Sequence, residues 1–193
     1  MGLERVVAAV DAANALDPIK SDSEGGTVAH SVLYGHRMSE VLAKFMPDAC
    51  EHLRIAARAQ HIERWLIPRE SYPEGRTAYL TWRKELQKLH ARRTGELMRA
   101  EGYAERDIDR VSALLRKERL KYDADVQALE DVICLVFLLY EAPDFIAKHD
   151  DEKVRDILAK TARKMSARGL AAAAKLDLDA RLARLLGEAL AEG

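Results

Sequence analysis

The chain has 193 residues, 48% of them hydrophobic and 33% charged, with a formal net charge of -1. Such a length supports a sizeable core, and such a balance excludes a disordered chain. The charge gives no global attraction to nucleic acid or membrane, so binding of that kind would need a local patch. Gly and Pro are few beside Leu, Ala, Arg, Glu and Lys, which predicts helix nearly throughout.

Leu3 to Leu16 reads as an amphipathic helix, with Val6, Val7, Val10 and Ala13 at helical spacing, closed by Asp17-Pro18. Ser21 to Gly26 is a polar loop, and Thr27 is placed to cap a helix over 28–45 that carries His30 and His36. Pro47-Asp48 starts a third helix over 49–65, containing AARAQHIERW, and Pro68 to Gly75 then breaks the pattern. A long helix over 77–100 follows, with Trp82, Leu86, His90, Thr94 and Leu97 on one face. Further helices are expected over 104–120, 126–140, 148–167 and 180–191, with His149 to Asp151 acting as an acidic N-cap. The expectation is one all-α domain over 1–193, its core about 28–140 and its C-terminal helices packed on that core.

Val132 to Tyr140, the longest apolar run, is about half of the ~20 residues a bilayer span needs. Cys50 and Cys134 form no CxxC pair and suit a reducing cytosol. No basic and apolar leader opens the sequence, so a cytoplasmic protein is expected.

His36, His61, His90 and Asp131 sit on four separate predicted helices beside apolar partners. Imidazole and carboxylate are the ligands that divalent transition metals favour, and a carboxylate drawn into the core needs a partner. A metal centre on these four residues is one reading. The plainer one makes each histidine a hydrogen-bonded core or rim residue and pairs Asp131 with Arg58 or Arg64. Glu63 and Glu130 are candidate general bases. Between Arg64 and Arg93 basic residues outnumber acidic ones. Arg64 and Arg69, with Lys88 further along, are candidate phosphate contacts, against a solvated helix face as the alternative. No GxxxxGK[ST], GxGxxG or GxSxG is present.

The order His36, AARAQHIERW, HARRTGELMRAEGY, DADVQALEDVICLVFL resembles the helical HD superfamily of metal-dependent phosphohydrolases over about 28–140. The resemblance implies His36 as first ligand, His61 in the paired motif, Asp131 as last ligand, and His90 as an additional ligand or phosphate contact. With Ala56-Ala57 in register, Gln60 and His61 take the two places of that pair. It also implies a divalent transition metal (Fe, Mn, Zn, Co or Ni) and hydrolysis of a small phosphorylated, nucleotide-like substrate. A di-iron oxygenase and a non-catalytic helical module for RNA or protein are the alternatives. Over nearly its full length the chain is similar to the domain of unknown function family numbered 4202. The quoted stretches VDAANALDP, LYGHRMSEVL, ARAQHIERWLIPRESYPEGRTAYLTW and FIAKHDDEKVRDILAKTARKMSARG carry that likeness. Some members carry the label glutamyl-tRNA synthetase. The chain has no HIGH-type motif, and Lys164-Met165-Ser166 is only a fragment of a KMSKS-type one.

Overall fold

Helix α1 (Gly2–Asn14) buries Val6 and Val10 along one stripe, as their spacing dictates. The computed structural model describes residues 2–23 and 25–191, and among them are ten α-helices and one two-stranded hairpin. The all-α reading therefore holds. Contacts divide the chain into two compact units, Met1–Glu118 and Arg119–Gly193.

In the first unit, the segment read as a polar loop is a hairpin of β1 (Lys20–Ser23) and β2 (Gly26–Ala29), with Lys20 opposite Ala29. The first strand, Lys-Ser-Asp-Ser, is wholly polar and the second, Gly-Thr-Val-Ala, does not alternate, which is why periodicity missed the hairpin. Helix α2 (His30–Phe45) has Ala29 at its N-cap with no side-chain cap. The capping is done from a distance. Asp17, 1% exposed, accepts from the Ser31 amide at 3.0 Å and the Ser31 hydroxyl at 2.5 Å. Asp17→Ala leaves both donors buried without an acceptor, and we expect a loss of about 2 kcal/mol of stability, read as a lower urea midpoint at unchanged slope. Helix α3 (Glu51–Arg58) crosses α2 at Gly35, where an added Cβ would lie 2.9 Å from the Arg58 carbonyl oxygen. The 25-residue α4 (Arg76–Ala100) and α5 (Glu105–Leu115) complete the unit. Helix α5 stops short of residue 120 because Lys117 takes φ 57°, and Arg119 and Lys121 beyond it take 57° and 73°, left-handed conformations that no α-helix continues through.

In the second unit, α6 (Ala124–Val136) is capped by Asp123, which accepts from the Asp125 and Val126 amides. A π-helical turn over Phe137–Glu141 leads to α7 (Ala142–Ala147), with Pro143 at its start. Helix α8 (Asp151–Ala162) is capped by Asp150 as the HDD reading anticipated, and α9 (Ala167–Ala173) and α10 (Ala180–Ala191) follow. No helix among the described residues is long and apolar enough to cross a membrane.

Candidate functional site

Helix α3 ends at Arg58, seven residues before the expected end at Trp65, and residues 59–63 run on as tight turns. Tertiary partners supply what the helix would have supplied. The Asn14 side-chain oxygen accepts from the Glu63 amide at 3.0 Å, and His90 Nδ1 donates to the Ile62 carbonyl at 2.8 Å. Glu63 itself adopts the left-handed conformation at φ 50° and is pinned by a bidentate pair with Arg93 of α4. The turn sets the His61 ring flat on Tyr34, with centroids 3.7 Å apart and planes at 16°, and 6.1 Å from the His90 ring.

Four side-chain atoms among the described residues are buried without a hydrogen-bond partner: Gln60 Oε1, His61 Nδ1, His90 Nε2 and Thr94 Oγ1. Gln60 neighbours His61 in sequence, and Thr94 lies one turn after His90 on the same face of α4. His90 is 3% exposed and Thr94 fully buried. Since a carbonyl only accepts, the bond to Ile62 fixes the His90 proton on Nδ1 and leaves Nε2 as a bare lone pair. Burial pushes His90 down to about 3, and it holds His61 well below the ordinary imidazole value; the nearby charges of Arg64 and Arg83 act in the same direction on both. Both rings are neutral at neutral pH. Arg64 lies over the Trp82 ring, 4.7 Å from its centroid.

The other expected site residues have separate engagements. His36 is half-exposed on α2, and its Nε2 accepts from Arg58, which is itself clamped bidentately by Asp11. Asp131, on α6 of the second unit, accepts from the Ser166 amide and hydroxyl and from Gln127; its partner is a helix cap and not an arginine. Glu130 is buried beside it at 4% exposure. Arg69 donates to the Tyr72 and Pro73 carbonyls and so holds the loop before α4. Lys88 pairs with Glu85 on the surface. Among the described residues no three His, Cys, Asp or Glu side chains are gathered so as to hold one metal ion. Gln60 entered the sequence reading only through the alternative register of the paired motif, and Thr94 only as part of the apolar face of α4.

Part of the basic stretch on α4 is paired with carboxylates. Lys88 meets Glu85, Arg92 meets Glu96, Arg93 meets Glu63 and Glu96, and Arg99 meets Glu105.

The fold and site together define an all-helical protein whose first unit holds two neighbouring neutral imidazoles, His90 buried and His61 partly exposed. The chain belongs to the family described as Domain of unknown function (DUF4202), whose model matches residues 4–186. No curated protein and no solved structure matches it.

Proposed function

We propose that the chain is an HD-like, metal-dependent phosphohydrolase of a small phosphorylated, nucleotide-like molecule, with the His61–His90 pair as its metal-binding centre. The observation that carries this reading is His90. Its Nδ1 proton is committed to a backbone carbonyl and its Nε2 lone pair is buried without a partner, the arrangement in which histidines hold metals. A divalent transition metal (Fe, Mn, Zn, Co or Ni), when bound, supplies Lewis acidity and lowers the pKa of a ligated water. The chain's own residues do the remaining work. Stacking on Tyr34 fixes the plane of His61, and the turn bonds from Asn14 and His90 hold it in place. Arg64 and Arg83 supply positive charge for phosphate oxygens. Glu63 anchors the turn through Arg93, and in this reading His36 and Asp131 are structural. No observation of comparable kind favours the di-iron or nucleic-acid alternatives.

The test is metal analysis of protein purified without chelator, together with hydrolysis of a nucleotide panel after loading with each of the five metals. We expect bound metal and phosphate release, both lost in His61→Ala and His90→Ala and both kept in His36→Ala. Protein that binds none of the five metals, and gains no thermal stability from them, would remove the reading.

A further inference from the structure

Two imidazole nitrogens do not complete a metal's coordination, and the carboxylate expected among the ligands, Asp131, is hydrogen-bonded to Ser166, the N-cap of α9. Glu63, the candidate base, is clamped by Arg93. The other buried atoms without a partner are Gln60 Oε1, on the residue before His61, and Thr94 Oγ1, one helical turn after His90. Gln60 is 6% exposed and Thr94 fully buried, so neither oxygen is satisfied by bulk water. An amide oxygen is an acceptor only, and a buried acceptor with nothing to accept from is costly to leave in a fold.

We infer that Gln60 Oε1, His61 Nδ1, His90 Nε2 and Thr94 Oγ1 form a four-donor, carboxylate-free metal site that takes its divalent ion together with a phosphate-type anion. The inference rests on the metal reading above and adds the missing ligands and the co-ligand. The argument for the anion is charge. Two neutral imidazoles, an amide and a hydroxyl bring no negative charge to the ion. Arg64, three residues after His61, and Arg83, two turns before His90 on α4, add positive charge to the surroundings. A dication in such a cage is repelled until an anion offsets it, and a phosphate satisfies ion and guanidinium groups at once. Metal and anion then bind cooperatively, each raising the affinity for the other by the same factor.

The experiment titrates chelator-treated full-length protein with Co2+ by calorimetry and by visible absorption, with and without inorganic phosphate. We expect phosphate to tighten Co2+ binding roughly tenfold, and Co2+ to tighten phosphate binding by the same factor. Thr94→Val and Gln60→Leu should each weaken Co2+ binding roughly tenfold or more and change the cobalt spectrum. Both should melt at or above the wild-type temperature without metal, because each replaces an unsatisfied oxygen by an apolar group. Gln60→Glu should bind Co2+ tightly with no help from phosphate. Co2+ binding that is lost in His90→Ala but indifferent to phosphate and to both oxygen substitutions overturns this inference and leaves the imidazole centre standing. Wild-type protein that takes up no Co2+ under either condition overturns both.

Discussion

Asp131→Ala should destabilise the protein by about 3 kcal/mol, the loss expected when a buried, fully hydrogen-bonded carboxylate is removed and its donors are left behind. Asp131 is 2% exposed and receives the Ser166 amide at 2.8 Å, the Ser166 hydroxyl, and the Gln127 amide at 3.1 Å. Ser166 is the N-cap of α9, its hydroxyl oxygen accepting from the Gly169 amide at 3.0 Å. One carboxylate thus ties the middle of α6 to the first turn of α9. Gly169 is part of the same device, since an added Cβ would sit 2.6 Å from the Asp131 carboxyl carbon. Gly169→Ala must push the carboxylate out of its bonds or move the helix, and should cost a similar amount. Chemical denaturation measures both. The loss should be the same with and without divalent metal. An Asp131→Ala protein as stable as wild type, but one that metal no longer stabilises, would restore the aspartate as a ligand.

Asp131 also shows how far the sequence could be read. An aspartate beside Val132-Ile133-Cys134-Leu135-Val136 had to be buried and had to be satisfied, and both are true. Which partner satisfies it depends on a serine 35 residues away, and nothing local in either stretch announces the meeting. The helices were legible for the ordinary reason that apolar residues recur at their period. Their ends were less so. Helix α3 stops at Arg58 because Asn14 and His90 bind the backbone of the turn beyond it, and α5 stops at Leu115 as the chain turns left-handed at Lys117. Both are tertiary or strained features that propensity does not encode.

For the site, the reading of His61 and His90 as neighbours survives as geometry, with ring centroids 6.1 Å apart. His61 lies in the turn beyond α3 and not on a helix face, so the nearness comes from tertiary packing. His36 is engaged elsewhere. Its face of α2 borders Arg58, and an arginine clamped by Asp11 offers a donor that the imidazole accepts. The arginines divide likewise. Arg64 and Arg83 bear on the imidazoles electrostatically, whereas Arg69 is committed to loop carbonyls that no sequence pattern predicts.

Acid should unfold the metal-free protein through these same imidazoles. In the folded chain His90 is pushed down to about 3 and His61 well below its ordinary value, whereas in the unfolded chain both titrate near 6.5. Below that pH the unfolded state binds protons that the native state refuses, so stability rises with pH and is lost as pH falls. The loss begins near pH 6.5, and for His90 it continues to about pH 3. A histidine kept neutral in the fold contributes up to about 1.4 kcal/mol per pH unit once the pH is well below 6.5, so between pH 6.5 and 5 His90 alone removes roughly 1.5 kcal/mol, and His61 acts in the same direction. The window lies above the range where most carboxylates titrate, which keeps the histidine effect separable. Urea unfolding at pH 7.5, 6.5, 5.8 and 5.0 measures the slope. His90→Asn, which keeps a donor where Nδ1–H meets the Ile62 carbonyl, should flatten the slope by about one proton, and His61→Gln should flatten it by a second. A wild-type slope equal to that of the double variant would mean that both rings take up protons in the native state. Tyr34 and Ile62 would then be packing against imidazolium, and a neutral pair ready to bind a metal would not exist.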